Sequence, residues 1–418
     1  MRWLARIVFV LILVLTGTGS FSAKGQEESA PVGPDLAVTL SNPLWCADAG
    51  EDPMQGMSMY LAGVLQPRTM LVAENIVVVP SQTNPLALLA FDLQTGNEIW
   101  TTDVGDSSSF NTGLLVAGVT ASNQVIWILE GGPIGAVDLE TGEIIWSVTI
   151  GGLKPFTPAL DAHELYVVSD EAGVVSLDAA SGAIRWAASG GETGPVMVVD
   201  DHTVVAALDG GEVLALDRET GQERWRQAIA PNAVNSSYGW GWTGSAADGV
   251  ALFVAWDGET DLEGMTLHAV DTTTGDSLWS QQFGTLITAP VIANGRAFIG
   301  DGGGTVLALD LRTGAAIWHR EVSSLDEGEW GFYGPEPVVA GATLVVPGFG
   351  GTPDGETYGV VFGFDAESGE SEWVIATDQT QVVDTPAFLV QNIVIIRGMR
   401  PEEGGPVAVC AFQVPENE

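Results

Sequence analysis

The sequence contains few basic side chains, few histidines and only two cysteines. Its 14 Lys and Arg stand against 54 Asp and Glu, which gives a formal net charge of -40 over 418 residues. A surface this acidic repels phosphate backbones and anionic lipid headgroups, so we expect neither nucleic-acid binding nor electrostatic docking to a membrane. The four His and two Cys show no spacing typical of zinc ligation or haem attachment.

Common catalytic motifs are missing as well. The sequence has no Gly-x-Ser-x-Gly nucleophile elbow, no Gly-Lys-Ser/Thr phosphate loop and no His-Glu-x-x-His zinc helix. Carboxylates are so abundant that a pair resembling a glycosidase couple identifies nothing. What the chain does have is apolar material: 46% of its residues are apolar and 16% are charged, which is enough for a large core.

Residues 1–25 have the pattern of a secretory signal peptide. Arg2 and Arg6 precede an apolar run at 7–15 and then a short polar stretch. Small residues allow cleavage after Ser22 or after Gly25, and the sequence favours neither. An uncleaved anchor helix is the alternative, although a bilayer span normally needs about 20 apolar residues. No Cys stands at the end of the run, so there is no lipobox, and we expect a periplasmic, cell-surface or secreted protein with no transmembrane span in its mature form.

One ten-residue motif occurs seven times in the chain. Its pattern is apolar-Asp-x-x-Thr/Ser-Gly-x-x-x-Trp, and successive Trp residues stand 39 to 55 positions apart. Periods near 40 with short alternating strands are typical of propeller blades. Asp and Thr or Ser accept and donate hydrogen bonds in turns and Gly adopts a positive φ, so each motif predicts a hairpin between the third and fourth strands of a blade. The seven copies are Phe91–Trp100, Val137–Trp146, Leu177–Trp186, Leu216–Trp225, Val270–Trp279, Leu309–Trp318 and Phe364–Trp373.

Each motif ends on a Trp that is expected to lie on the outer strand and to fill the space between one blade and the next. These residues are therefore predicted to be structural, blade-docking side chains rather than platforms for a ligand. They are Trp100, Trp146, Trp186, Trp225, Trp279, Trp318 and Trp373.

The two ends of the chain supply an eighth blade. After the seventh motif, strands are predicted at 383–397 and 407–414, but no outer strand follows, whereas residues 37–47 carry an extra Trp45. Pairing these segments closes the ring and removes exposed sheet edges. The sequence therefore predicts an all-β, eight-bladed propeller of four-stranded blades over residues 40–414, with the last blade closed by N- and C-terminal strands. Residues 26–39 are predicted to be a linker and 415–418 a tail, and we expect a monomer.

Cys46 and Cys410 fall in the two strands that would close this ring. In an exported protein such a pair is expected to form a disulfide. The alternative is two buried free thiols, because a sequence does not give the distance between two side chains.

The Asp-x-x-Thr-Gly-x-x-x-Trp repeat resembles the PQQ-type β-propeller repeat over residues 40–414. That family includes quinoprotein alcohol and glucose dehydrogenases, BamB-type outer-membrane assembly factors and extracytoplasmic sensor domains. Its enzymes hold pyrroloquinoline quinone (PQQ) over a Trp beside a Ca²⁺ ion and typically carry two adjacent cysteines, which this sequence lacks. We therefore expect no catalytic residues and no cofactor. PQQ and calcium are implied only by the alternative, a quinoprotein dehydrogenase with a diverged site.

Two aromatic loops predict where a partner binds. They lie at 236–242 and 329–337, each between an outer strand and the next blade, and three insertions at 257–264, 351–359 and 399–406 join second to third strands. These two kinds of connection share one rim of a propeller. An aromatic patch there suits a protein partner or a glycan, although the same rings could instead plug the central channel. The predicted partner-binding residues are Tyr238, Trp240, Trp242, Trp330, Phe332 and Tyr333.

The sequence thus favours an exported, non-catalytic scaffold for protein–protein contact or envelope assembly. The quinoprotein dehydrogenase is the second hypothesis, because the repeat alone suits it. A carbohydrate-binding propeller is the third, because aromatic rings also stack on sugars.

Overall fold

A computed structural model describes residues 41–415 apart from internal gaps. The gaps are 50–69, 82–84, 106–113, 130, 155–157, 162, 190–192, 199–201, 209–210, 231–239, 261–262, 285–286, 323–329, 332–335, 352–356, 378–385 and 400–406. Of the two compact units into which the chain divides, residues 1–31 lie wholly outside the described part and residues 32–418 contain the strands. The predicted signal peptide and linker therefore lie outside the described residues, as does most of the predicted tail.

Blades 1 to 4 are four-stranded antiparallel sheets whose strands follow one another in sequence order. Blade 1 contains β2 (Leu71–Ala73), β3 (Ile76–Ser81), β4 (Leu86–Asp92) and β5 (Glu98–Gly105). Blade 2 contains β6 (Leu114–Val119), β7 (Gln124–Leu129), β8 (Pro133–Asp138) and β9 (Ile144–Thr149). Blade 3 contains β10 (Ala159–Leu160), β11 (Glu164–Ser169), β12 (Gly173–Asp178) and β13 (Ile184–Ala188). Blade 4 contains β14 (Thr193–Val198), β15 (Thr203–Leu208), β16 (Glu212–Asp217) and β17 (Glu223–Ala228).

Blades 5 to 7 continue the pattern, and blades 5 and 7 contain the longest strands. Blade 5 contains β18 (Trp240–Ala247), β19 (Val250–Thr260), β20 (Glu263–Asp271) and β21 (Ser277–Phe283). Blade 6 contains β22 (Val291–Ala293), β23 (Arg296–Gly300), β24 (Thr305–Asp310) and β25 (Ala316–Glu321). Blade 7 contains β26 (Trp330–Gly331), β27 (Val338–Ala340), β28 (Thr343–Gly351), β29 (Thr357–Asp365) and β30 (Ser371–Thr377). Both β26 and β27 pair with β28, so together they occupy the innermost position of blade 7.

Blade 8 is assembled from both ends of the chain. It contains β31 (Phe388–Val390), β32 (Ile393–Met399), β33 (Val407–Gln413) and, as its outer strand, β1 (Trp45–Asp48). Cys46 lies directly opposite Cys410 in the β1–β33 ladder, and the two form a disulfide across 364 residues of sequence. In the chain-entropy model a loop of that length makes the bridge worth about 6 kcal/mol. The predicted all-β, eight-bladed propeller with a composite last blade is confirmed.

The hydrophobic core lies between blades rather than inside one sheet. The described residues form eight buried clusters, and each cluster combines side chains of two neighbouring blades. A sheet exposes two faces, and stacking blades around a ring buries both. We call the contact between two neighbouring blades a seam.

An outer-strand Trp spans each of seven seams in the same way. Its indole Nε1 donates a hydrogen bond of 2.9–3.3 Å to the carbonyl that follows the motif Asp of the next blade. The indole plane lies on the motif Gly of that blade, where an added Cβ would come within 2.7 Å of the ring. The donor–acceptor pairs are Trp45–Leu93, Trp100–Leu139, Trp146–Ala179, Trp186–Arg218, Trp225–Thr272, Trp279–Leu311 and Trp318–Ala366.

The seam between blades 7 and 8 is built differently. Blade 8 has no hairpin between its third and outer strands, because those strands come from opposite ends of the sequence. Trp373 instead covers Gly363 of its own sheet and packs in a cluster with Ile396 and Cys410 of blade 8. Only 4% of Trp373 is exposed, so the ring is still buried at this seam.

The backbone makes room for each Trp in two ways. The residue paired with it on the third strand is small: Ala in six blades, Ser176 in blade 3 and Gly363 in blade 7. In blades 1 to 7 the outer strand also carries one extra residue just before the Trp, which is a β-bulge. Bulges turn an edge strand and discourage further strand pairing.

The motif Asp organises the turn on which the next Trp rests. In blade 1, Oδ1 of Asp92 accepts hydrogen bonds from the Thr95 amide at 2.8 Å and the Thr95 hydroxyl at 2.7 Å. Such bonds to the charged form lower the pKa of Asp92, and in blade 4 bonds from Arg224 and Thr220 lower the pKa of Asp217 to about 2. The turn therefore holds its Gly in position for the incoming indole.

The variant Gly142→Ala tests whether a seam needs glycine only for its positive φ or also for its missing side chain. Gly142 has φ +73° and its Cβ would lie 2.6 Å from Trp100, whereas Gly295 has φ +72° with nothing within 4 Å. A positive φ alone costs an L-residue about 1–2 kcal/mol, and overpacking against a rigid ring adds about 1–3 kcal/mol. We expect urea denaturation to show a clearly larger loss of unfolding free energy for Gly142→Ala than for Gly295→Ala. Equal losses would contradict the seam contact.

Candidate partner-binding face

The connections divide between two ends of the blades. In an antiparallel blade the first-to-second and third-to-fourth turns lie at one end, and the second-to-third turns lie at the other together with the crossings to the next blade. We call the end with the Asp-x-x-Thr-Gly turns the motif face and the opposite end the insertion face.

Two hairpins extend further toward the insertion face than their counterparts. In blade 5 the ladder between β19 and β20 continues to the pair Thr260 and Glu263, and in blade 7 the ladder between β28 and β29 continues to Gly351 and Thr357. The prediction that 257–264 is a connection is wrong for 257–260 and 263–264, which lie in β19 and β20. In the second predicted connection, 351–359, residue 351 ends β28 and residues 357–359 begin β29. The β28–β29 ladder runs without a break to its last pair, whereas the β19–β20 ladder shifts register between Trp256 and Thr260.

The structure also corrects part of the aromatic loops. Trp240 and Trp242 lie in β18, with Trp240 paired to Ala255, and Trp330 lies in β26 opposite Gly350. These are positions on innermost strands near the insertion face, in blades 5 and 7, which blade 6 separates. Tyr238, Phe332 and Tyr333 lie outside the described residues. Three of the six predicted partner-binding residues are thus strand residues, carried by two non-adjacent blades.

A buried carboxylate lies in the turn between β23 and β24 of blade 6, also at the insertion face. Oδ1 of Asp301 accepts hydrogen bonds from the amides of Gly303 at 2.9 Å and Thr305 at 2.8 Å, and only 5% of the residue is exposed. Burial raises the pKa of Asp301 despite those two bonds, and Glu321 adds like-charge repulsion. The Asp-Gly-Gly-Gly-Thr segment is the only sequence signal for this residue.

A second buried charge, Arg397, lies in the apolar strand β32 of blade 8. It is 2% exposed and pairs with Val409 in the ladder to β33. Sequence reasoning missed it, although a charged residue within Ile-Val-Ile-Ile-Arg-Gly is a signal of its own.

An ion network crosses the motif face between blades 3 and 4. Arg218 donates from Nε to Glu164 at 2.8 Å and also pairs with Asp161, while Arg185 pairs with Glu164 at 3.0 Å. Tyr166 is fully buried beside them and bonds to Glu164, and burial raises the pKa of its hydroxyl. Desolvation lowers the pKa of Arg218 in turn. These contacts hold two blades together.

The donor groups described at the insertion face do not fit a quinone cofactor with calcium. No group of three or more His, Cys, Asp or Glu side chains in the described ranges converges as a metal site. Asp301 already accepts two amide hydrogen bonds. The two cysteines of the sequence are bound to each other across blade 8.

Within the described residues, no helix has the length and apolar character that crossing a membrane requires.

Comparisons with known proteins agree with this ring of tryptophan-docked blades. The family model described as outer membrane protein assembly factor BamB matches residues 44–188, 85–241 and 209–398. BamB of Yersinia pestis is 24% identical over 248 residues, which is 55% of this chain and 61% of that protein. The quinohemoprotein alcohol dehydrogenase of Comamonas testosteroni is 26% identical over 173 residues, 37% of this chain and 24% of that protein. The chain thus spans less than two thirds of the length of these curated relatives.

Solved structures share the fold at low sequence identity. The crystal structure of BamB from Moraxella catarrhalis has a TM-score of 0.56 at 15% identity, covering 90% of this chain and all of that one. The Comamonas testosteroni dehydrogenase has a TM-score of 0.55 at 15% identity, covering 92% of this chain and 78% of that one. The chain is a closed eight-bladed β-propeller. It belongs to the PQQ-like repeat family whose model carries the BamB description.

Asp301→Asn tests the cost of burying a charge at the insertion face. Because burial raises the pKa of Asp301 above its usual 3.8, the carboxylate lowers folded-state stability above that pH and costs nothing below it. Asn keeps an oxygen that accepts the two amide bonds. We expect the urea midpoint of the variant to improve relative to the parent as the pH rises from 3 to 7.

Asp310→Asn in the same blade is the matched control with the opposite sign. Hydrogen bonds from Thr313 lower the pKa of Asp310, so its charge stabilises the fold above pH 3.8 and that contribution disappears in acid. This variant should lose stability at pH 7 and lose little at pH 3. The same pH trend in both variants would contradict the assignment.

Proposed function

We propose that this protein is an exported, non-catalytic scaffold whose insertion face binds another protein of the cell envelope. The observation that carries the proposal is the pair of extended blades at that face, blades 5 and 7. Their innermost strands bear Trp240, Trp242 and Trp330, residue types that are enriched in protein interfaces. A rigid ring that presents such strands needs little reorganisation to bind a partner.

Two further observations support an extracytoplasmic location. The ring is closed by a disulfide, and disulfides persist in oxidising compartments. Relatives in the same family are named outer membrane protein assembly factors, so we assign this chain to envelope assembly by analogy. We propose a monomer, because the ring leaves no blade unpaired, and a protein partner in preference to a glycan.

The alternative is a quinoprotein dehydrogenase, which is favoured by the similarity to the Comamonas testosteroni enzyme. Titration of the purified exported protein with PQQ and Ca²⁺ in a calorimeter separates the two functions. We expect no saturable heat, because no group of three or more His, Cys, Asp or Glu side chains in the described ranges could hold a metal ion. The Comamonas testosteroni enzyme serves as positive control, and binding near one equivalent would replace the scaffold with the dehydrogenase.

The partner itself is tested with the double variant Trp240→Ala/Trp330→Ala. Envelope proteins that co-purify with the parent after chemical cross-linking in cells are identified, and the variant is expected to lose at least one of them about tenfold or more, as hot-spot aromatics do. Ile317→Thr, an exposed outer-strand change on blade 6, is the control and should lose none. Retention of every partner by a folded double variant would reject the insertion face as the binding surface.

A further inference from the structure

The most exposed large apolar side chains of the described residues share one place in the repeat. Six of them are 43–54% exposed, and each stands one or two positions before an outer-strand Trp. They are Leu44, Ile99, Ile144, Ile145, Ile184 and Ile317. Single exposed apolar residues are normal on a protein surface. These six, however, occupy equivalent positions of the repeat, so the fold determines how far apart they lie.

The contact between Trp and Gly places four of these isoleucines at two seams. Trp100 of blade 1 lies on Gly142 of blade 2. Ile99 directly precedes Trp100 and Ile144 follows Gly142 by two residues, so the two isoleucines flank the same seam. The arrangement repeats at the next seam, where Trp146 lies on Gly182 and where Ile145 and Ile184 hold the same two positions. We call these four isoleucines the outer-wall patch.

Other seams carry different pairs at the same two positions. Between blades 3 and 4 they are Arg185 and Glu223, and between blades 6 and 7 they are Ile317 and Ser371. Between blades 8 and 1 the pair is Leu44 and Glu98. Paired isoleucines therefore occur at two consecutive seams of the ring, which makes the patch a local feature of blades 1 to 3 rather than a property of the repeat.

The patch presents side chains rather than a free strand edge. Ile99 and Ile145 are the extra residues of the β-bulges in β5 and β9, so the ladder leaves them without a cross-strand partner. Bulges on edge strands discourage addition of another strand. A partner therefore meets an apolar surface and does not extend the sheet.

Most of the charge around the patch is negative. Residues 69–153, which span blades 1 and 2, contain nine Asp and Glu and no Lys, Arg or His. Glu98, Asp103, Glu140 and Glu143 are exposed on the strands and turns beside the isoleucines. Arg185 of blade 3 is already paired with Glu164 and Asp178.

We propose that the outer-wall patch docks a segment of a partner protein in which apolar side chains are flanked by Lys or Arg. The inference rests on the proposed scaffold function and adds a second contact surface to it. Charge complementarity selects this occupant, because a second copy of the chain brings another net charge of -40 and an anionic bilayer is repelled in the same way.

The probe for this surface is the synthetic peptide Lys-Lys-Ser-Leu-Ile-Leu-Ser-Leu-Lys-Lys, added to the full exported protein and measured by calorimetry at low and moderate salt. Saturable binding that weakens with salt is expected. A peptide with Glu in place of Lys, and one with Ser in place of the apolar residues, are both expected to bind at least about tenfold more weakly.

Ile145→Thr removes apolar surface from the patch while keeping a β-branched side chain in the strand. It should weaken binding of the Lys peptide about tenfold. Ile317→Thr is the matched control, since Ile317 is 43% exposed against 44% for Ile145 and also directly precedes its Trp. Its peptide affinity should equal that of the parent, and thermal unfolding of both variants shows that they are folded.

Three results would overturn the proposal. Equal binding by the parent and both variants would show attraction to acidic charge alone. Absence of binding would show that the patch takes no such segment, and a dimer in light scattering that Ile145→Thr dissociates would show that a second copy occupies it. The double variant Trp240→Ala/Trp330→Ala should bind the peptide normally, so failure of the outer-wall patch and failure of the insertion face are separate outcomes.

Discussion

The structure depends on one repeated contact, in which an indole ring lies on a glycine of the next blade and donates its N–H to the neighbouring carbonyl. The contact requires a positive φ and an absent side chain at the same residue, which glycine alone supplies. A small residue lies opposite the Trp in all eight blades, and a bulge precedes the Trp in blades 1 to 7. The Gly and the Trp of the motif are thus determined by one packing contact, which explains why both recur in all seven copies.

Because each seam joins only two neighbours, the protein behaves as a row of repeats closed into a ring. In an open row the terminal repeats would expose an apolar face. Here β1 completes blade 8, and the Cys46–Cys410 bridge joins the two ends of the chain at the place where a hairpin is missing. The seam between blades 7 and 8 is the one built without the glycine contact, and it is also the one next to the covalent closure.

The sequence predicted those parts of the fold that repeat. Seven copies of the motif indicated the blades, and the unmatched Trp45 with Cys46 indicated the composite one. It did not predict that strand pairing in blade 5 continues to Thr260 and Glu263, because acidic and Gly residues there resemble a loop and the ladder depends on backbone geometry. Gly residues beside Trp240 and Trp330 likewise predict loops, whereas both Trp residues lie in strands.

The candidate surfaces were harder to predict than the fold. Burial of Asp301 depends on how a three-glycine turn packs, and no local pattern reports that. That Ile99 and Ile144 flank one seam follows only once Trp100 is known to lie on Gly142. Function in this family follows such surfaces more than the ring, since the same fold hosts enzymes and scaffolds.

Closure at blade 8 is expected to make the seams one cooperative ring. Hydrogen exchange of the backbone amides, followed by mass spectrometry with and without a disulfide reductant, tests it most directly. We predict that in the oxidised protein the core strands of all blades exchange with a common free energy. On reduction, protection should fall first in β1, β33 and the strands of blade 1. Blades that exchange independently of one another, with no change on reduction, would contradict the account.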